Sequence, residues 1–162
     1  MYKRQIVGLG ESDRDLVEMF HMLKSEQIAA YLFSFNPEPG TVMENKPRAP
    51  IARTRRIQLV KNLIEEHDLQ ESAIEFDESG TIRAIDAPEE LLERVTENGV
   101  AFMTNGCPDR QGKMACNRPY GSYRPGEEFR DYPFLPDASD LKIIRDEMKL
   151  SEMVKSVESA VA

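Results

Sequence analysis

The N-terminal part of the chain shows two kinds of hydrophobic pattern, which predict a strand, a helix and a second strand. The first run is short and apolar, which indicates a buried strand at Ile6, Val7 and Leu9. An amphipathic segment follows, with apolar residues on one helical face at Leu16, Met19, Phe20 and Leu23. Ser12 stands just before this segment and Asp15 three residues later, which predicts a capped helix start. A second apolar run at 29–35 completes a βαβ unit with parallel strands.

The rest of the chain predicts helices and short strands around two irregular stretches. Residues 36–50 contain four prolines and one glycine, which predicts a long loop. The remaining patterns predict helices at 51–67, 88–97 and 139–161, and strands at 74–76, 81–85 and 101–103. Residues 104–136 are rich in Gly, Pro, Arg and Tyr, and their aromatic side chains favour packing onto other parts of the chain. Together these elements predict an α/β fold.

Composition and charge indicate a globular domain and argue against membrane and nucleic-acid partners. The chain has 162 residues, of which 40% are hydrophobic and 31% charged, as in a globular domain. No stretch is long and apolar enough to cross a bilayer, and no signal peptide is visible, so we expect a cytoplasmic protein without a membrane partner. The net charge of −8 repels phosphates and argues against nucleic acid as a partner.

Glycines follow the first predicted strand and give the first candidate site. Gly8 and Gly10 precede Glu11, and the simplest explanation is a tight strand-to-helix turn with a solvated glutamate. A dinucleotide fingerprint is not supported, because Asp13 stands where its third glycine is required. The alternative is a ligand site, since glycines at a strand end let a flat ligand approach the backbone.

Two further groups of polar residues lie near the predicted ends of strands and helices. Asn36 and Glu38 follow the second strand, where parallel barrels carry their active sites. Four arginines cluster around the start of the second helix, at Arg48, Arg53, Arg55 and Arg56. Charges in such a run usually form a solvated face, and recognition of a carboxylate is the alternative for arginine.

The chain contains two cysteines, Cys107 and Cys116, in the irregular segment. They could be structural thiols, zinc ligands or iron–sulfur ligands. Their eight-residue separation does not match a zinc knuckle, and the two histidines are distant in sequence. The surrounding glycines, prolines and arginines favour an iron–sulfur site, which two thiolates alone cannot complete.

Three motifs resemble the radical S-adenosylmethionine (SAM) superfamily, and in particular biotin synthase-like proteins and two-component lipoyl synthases. Ile6, Gly8 and Glu11 match the SAM-binding strand motif G-x-I-x-G-x-x-E, whereas Arg4 replaces its first glycine. The run Cys-Pro-x-Arg-x-Gly-x-x-x-Cys-Asn-Arg-Pro-Tyr-Gly begins at Cys107 and is similar to the tail of those lipoyl synthases. The later run Arg-Asp-Tyr-Pro-Phe at 130–134 belongs to the same resemblance.

The resemblance implies a fold and a set of site residues. The fold would be the C-terminal half of a partial (β/α) TIM-type barrel, with barrel units at 1–103, a cysteine-containing tail at 104–137 and a C-terminal helix at 138–162. The region that binds SAM or substrate would include Ile6, Gly8, Glu11, Asn36 and Glu38. The ligands to an auxiliary iron–sulfur cluster would include Cys107 and Cys116.

The resemblance also implies an activity, which is sulfur insertion into protein-bound octanoyl groups to form lipoyl groups. The C-x3-C-x2-C motif that holds the radical-generating [4Fe-4S] cluster is absent from this sequence, so we expect its ligands upstream and this fragment alone to be inactive. Expected partners are SAM, an octanoyl-carrying protein or a small-molecule substrate, a second radical SAM subunit, and an electron donor such as ferredoxin or flavodoxin. The alternatives are biotin synthase, another biotin synthase-like enzyme, or a non-catalytic metal-binding or scaffold module.

Overall fold

The computed structural model describes residues 2–111, 114–116 and 129–149, and for residues 107, 108 and 114–116 it describes the backbone alone. The helices in these residues are α1 (Asp13–Ser25), α2 (Ile51–His67), α3 (Glu89–Asn98) and α4 (Ala138–Met148). The strands are β1 (Tyr2–Val7), β2 (Ala29–Ser34), β3 (Ile74–Phe76), β4 (Ile82–Ile85), β5 (Cys107–Pro108) and β6 (Met114–Cys116). Short 3-10 helices lie at Glu71–Ala73 and Val100–Phe102.

The first three elements form the predicted βαβ unit. Strands β1 and β2 pair in parallel, in a register that places Ile6 opposite Phe33. Helix α1 begins with a capping box, in which the Ser12 hydroxyl accepts from the Asp15 amide and the Asp15 carboxylate accepts from the Ser12 amide. Both the parallel pairing and the capped helix start are therefore confirmed.

The prediction that the first strand is buried throughout is wrong. Strand β1 ends at Val7, which is 2% exposed, whereas Ile6 is 43% and Leu9 44% exposed. Successive residues of a strand point to opposite faces, and Val7 packs in the core whereas Ile6 does not. Leu9 lies beyond the strand in the glycine turn.

Helix α2 is the centre of the fold and has the predicted bounds, Ile51–His67. It packs against α1, α3, α4 and the 3-10 helix Val100–Phe102, so both apolar and polar side chains of α2 are buried. Its fully buried apolar residues are Ile57, Leu59, Val60, Leu63 and Ile64. Polar residues of the same helix are also buried, and they organise the candidate site described below.

Strands β3 and β4 form the predicted hairpin, which docks on the start of α1. The Asp13 carboxylate accepts a hydrogen bond of 3.1 Å from the Ile82 amide, and the Arg14 amide donates to the carbonyl of Gly80 over 3.0 Å. The Arg14 guanidinium lies 4.4 Å from the centre of the Phe76 ring, at a cation–π distance. These contacts position Asp13 at the edge of the candidate site.

The strand predicted at 101–103 is wrong. Gly99 ends α3 with a φ of +70°, and the chain then turns through a 3-10 helix, Val100–Phe102. The amide of Phe102 donates to Gly99 and that of Met103 to Val100, so these amides close local turns instead of a strand ladder. Only Met103 forms a bridge, parallel to Tyr132.

The described residues therefore form a mixed α/β fold. Their strands make three two-stranded sheets, β1–β2, β3–β4 and β5–β6, and these residues form no closed barrel. None of the helices within the described ranges has the length and apolar character needed to cross a bilayer. The helix predicted at 139–161 is confirmed only over Ala138–Met148. It ends there because Lys149 adopts a left-handed conformation with a φ of +54°, and residues 150–162 lie outside the described part.

Candidate functional site

The glycine turn after β1 is organised by Glu11. The Glu11 carboxylate accepts hydrogen bonds from the amides of Gly8 (2.7 Å), Leu9 (2.9 Å) and Gly10 (3.1 Å). Gly8 and Gly10 have φ values of +107° and +130°, which side chains other than glycine rarely adopt. The simplest expectation was a solvated glutamate. The carboxylate instead accepts hydrogen bonds from three successive backbone amides, an arrangement called a nest.

An ion-pair network holds Glu11 in place. The Arg53 guanidinium is 3.2 Å from the Glu11 carboxylate and 2.7 Å from the Asp13 carboxylate, and it also donates to the Glu11 carbonyl. Partial burial on its own would raise the pKa of Glu11. The hydrogen bonds from the amides of Gly8 and Leu9 and the charge of Arg53 outweigh it, so the pKa is below its usual value. Glu11 is therefore ionised at neutral pH, and its carboxylate holds the backbone of the turn in place.

Gly8 packs between the two ends of the long loop that follows β2. A Cβ placed on Gly8 would lie 3.4 Å from the Cβ atoms of both Phe35 and Ala49, whereas one on Gly10 would have nothing within 4 Å. The C-terminal ends of β1 and β2 thus meet here, as the pattern of a parallel pair predicts. The open surface of the turn is at Gly10.

The two predicted polar candidates after β2, Asn36 and Glu38, have different surroundings in the structure. Asn36 is half-buried, and its amide nitrogen donates to the Ser34 carbonyl over 3.3 Å. Its Oδ1 atom is buried and accepts no hydrogen bond from the residues that the structure describes. Glu38 is exposed, and its carbonyl accepts from the backbone and hydroxyl of Thr41. Asn36 is therefore the candidate with a buried acceptor to offer to a ligand.

The arginines at the start of α2 do not form the solvated face that their sequence suggests. Arg55 is completely buried and its Nε atom lies 2.8 Å from the Glu147 carboxylate of α4. Its other nitrogens donate to Gln58 Oε1 over 3.1 Å, to the Arg130 carbonyl over 2.7 Å and to the Phe129 carbonyl. Arg55 thus fastens residues 129–134, which we call the return segment, to α2 and α4.

Arg130 connects the return segment to the glycine end of β1. It is 2% exposed, and its Nη1 atom donates to the Ala49 carbonyl over 2.7 Å and to the Thr54 hydroxyl over 3.0 Å. Ala49 is the residue whose Cβ closes over Gly8. The sequence had marked Arg130 only as part of a family motif, and this packing role was not predicted.

The return segment also fixes the residues that lead to Cys107. The Thr104 amide donates to the Tyr132 carbonyl over 2.9 Å, and the Tyr132 amide donates to the Phe102 carbonyl over 3.0 Å. Cys107 then begins β5, which pairs antiparallel with β6 in a register that sets Cys107 opposite Cys116. The two predicted ligand positions are therefore brought together by the backbone, and their side chains lie outside the described part.

A cavity of about 500 Å³ lies between α2, β2 and residues 98–105. This volume is in the range of small-molecule sites. Within it, the Lys61 ammonium is 2.6 Å from the Glu65 carboxylate, which also accepts from the Ala30 amide of β2 over 3.0 Å. The sequence did not predict this cavity. Its one visible signal was the i,i+4 spacing of Lys61 and Glu65 on α2.

The candidate site has no complete metal centre among side chains that the structure describes. No group of three or more His, Cys, Asp or Glu side chains in that part of the chain could hold a metal ion. The two cysteine side chains lie outside that search, since only the backbone is described there. Comparisons of the chain with protein-family models, with curated proteins and with solved structures find no match.

Proposed function

We propose that this chain is the C-terminal part of a radical SAM sulfur-insertion enzyme of the lipoyl synthase type, acting on protein-bound octanoyl groups. The observation that supports the proposal most is the backbone register that sets Cys107 opposite Cys116. An auxiliary cluster needs at least two neighbouring thiolates, and thiolates are the usual ligands of such clusters. The remaining ligands, and those of the radical-generating cluster, would come from outside these 162 residues.

Direct contacts join Thr104, which precedes the cysteine hairpin in the chain, to the glycine end of β1, and they support a shared site. Thr104 is tied to Tyr132, and Arg130 in the same return segment is tied to Ala49, which covers Gly8. A sulfur donor and a SAM-binding strand end must meet over one substrate for the proposed reaction. These contacts connect the two parts through the return segment.

One residue at the strand end, Asn36, supports a contact with an amino group of SAM. The amides of the glycine turn are already occupied by Glu11, so they are not free to bind an anionic group. The buried Oδ1 of Asn36 has no donor among the described residues, and it can accept from an amino group. SAM carries such amino groups, and when bound it supplies the radical chemistry. Here Asn36 would orient the cofactor and Gly10 would leave room for it.

Anaerobic reconstitution with iron and sulfide tests the metal part of the proposal. In a version extended upstream to supply the remaining ligands, the unaltered protein is expected to retain iron and sulfide after desalting, and Cys107→Ser and Cys116→Ser are each expected to lose the share of both that the auxiliary cluster holds. Met22→Ser is the matched control, because it removes a sulfur that is 57% exposed on α1 and distant in sequence from the hairpin. Equal iron content in all four proteins would reject the cluster.

The activity is tested with an octanoyl-lysine peptide, SAM, a reductant and a version of the protein extended to include a C-x3-C-x2-C motif. The expected result is SAM cleavage with transfer of sulfur to the peptide, and Cys107→Ser should abolish transfer while SAM cleavage continues. SAM cleavage without sulfur transfer in the unaltered protein would reject the lipoyl assignment. Sulfur transfer to a biotin precursor instead would indicate the biotin synthase alternative.

A further inference from the structure

The cysteine hairpin suggests a second chemistry that needs no metal. Strands β5 and β6 set the α-carbons of Cys107 and Cys116 directly opposite one another. Opposite residues in an antiparallel pair have α-carbons about 4.5–5.5 Å apart. Disulfides span about 4.4–6.8 Å between α-carbons, so this register meets the backbone requirement.

Described residues on either side of β5 form local turns. The Gln111 amide donates to the Asp109 carboxylate over 2.8 Å, which forms a side-chain turn directly after β5. Before the hairpin, Gly106 adopts a φ of +67°, and the Thr104 amide is bonded to Tyr132. The chain has no other cysteines, so an internal disulfide can have only one pairing.

We propose that Cys107 and Cys116 form a reversible cross-strand disulfide by exchange with small-molecule disulfides. The thiolate of one cysteine attacks a sulfur of the small disulfide, which forms a mixed disulfide and releases one small thiolate. The second cysteine then attacks the protein sulfur of the mixed disulfide and releases the other small thiolate. In total two protein thiols are oxidised to the disulfide, and one small disulfide is reduced to two thiols, which take up the two protons that the protein thiols release.

This inference does not depend on the proposed function, because it requires only the register of the hairpin. Arg110 and Lys113 lie between the two cysteines in the sequence, and nearby positive charge favours the attacking thiolate. A cysteine in a disulfide cannot bind a metal as a thiolate. Closure of the disulfide would therefore exclude any metal from these two residues.

The test uses the reduced, metal-free full chain, incubated without oxygen with glutathione disulfide, then quenched and alkylated for mass spectrometry. The expected product has lost two hydrogen atoms, resists alkylation and yields a peptide in which Cys107 is linked to Cys116. Because the second thiol has an effective concentration of about 1 mM, the internal disulfide should exceed the mixed disulfide by about tenfold at about 0.1 mM glutathione disulfide. Cys107→Ser and Cys116→Ser should each stop at a single glutathione adduct.

A register control separates this geometry from simple proximity along the chain. The ladder pairs Cys107 with Cys116 and Pro108 with Met114, so Ala115 has no opposite residue. Moving one cysteine by a residue, with Ala115→Cys in the Cys116→Ser background, should lower the yield of internal disulfide about tenfold. Equal yields in the two proteins, or stable double glutathione adducts on the wild type, would overturn the proposal. Iron binding is measured separately, so failure of either idea is recognised on its own.

Discussion

Replacement of Arg55 by alanine should remove the main connection between the return segment and the body of the fold. The wild-type side chain is fully buried, and it bonds the Glu147 carboxylate, Gln58 Oε1 and the carbonyls of Phe129 and Arg130. Hydrogen bonds that involve a charged group contribute about 1.5–3 kcal/mol each, and they are not additive. Breaking a buried ion pair by removing one partner costs about 3–5 kcal/mol. We expect Arg55→Ala to lower the free energy of unfolding by about 3–5 kcal/mol.

Urea denaturation monitored by circular dichroism measures this effect. A domain has about 5–15 kcal/mol of total stability, so the variant should unfold at a much lower urea concentration. The matched control is Arg145→Ala, which removes the same group from an exposed pair with Glu97 on the neighbouring helix. Exposed pairs of this kind contribute about 0–1 kcal/mol. The reasoning would be refuted if the two variants lost similar stability.

A double-mutant cycle with Glu147→Ala isolates the ion pair itself. Residues that share a buried network show a coupling energy of about 0.5–3 kcal/mol. We expect a favourable coupling between Arg55 and Glu147, because the Nε atom of Arg55 is 2.8 Å from the carboxylate. A coupling near zero would assign the loss in Arg55→Ala to the backbone carbonyls and to packing over Phe102 and Tyr132.

Two further predictions concern the turns that surround the site. The folded pKa of Glu11 is below its usual value, so its contribution is present above a pH of about 4.3 and is lost as the pH falls through the folded pKa. Glu11→Gln should therefore flatten part of the acid limb of a stability–pH profile, and an unchanged profile would contradict the hydrogen-bonded turn. Gly80 and Gly40 have φ values of +78° and +77°, but only at Gly80 would a Cβ lie 2.9 Å from Ser12. Gly80→Ala should cost about 1–3 kcal/mol more than Gly40→Ala in urea denaturation, and equal losses would refute the contact.

Local patterns predicted the elements whose determinants lie within a few residues. The Ser12–Asp15 capping box and the bounds of α2 depend on local chemistry and hydrophobic spacing, and both agree with the structure. The segment at 101–103 has the composition of a strand, but the left-handed Gly99 turns it into a 3-10 helix. Tyr132 provides the only bridge there in the described residues, and it lies far along the chain, so the local sequence does not contain this pairing partner.

The candidate site was predicted less completely, because its key contacts join residues that are distant in sequence. Arg55 and Arg130 look like surface charges in the sequence, yet their partners lie 92 and 81 residues away at Glu147 and Ala49. Glu11 is the opposite case, since its amide partners are its immediate neighbours and only their positive φ angles bring them together. A sequence pattern carries no information about those angles beyond the presence of glycine.

The buried arginines also constrain how the two parts of the candidate site can move. Arg130 donates to Ala49 on one side, and its own carbonyl is held by Arg55 and Gln58 on the other. Any shift of the return segment away from α2 would leave these buried donors and acceptors without partners, at about 1–3 kcal/mol for each group. The glycine turn and the residues that lead into the cysteine hairpin are therefore held in one fixed arrangement.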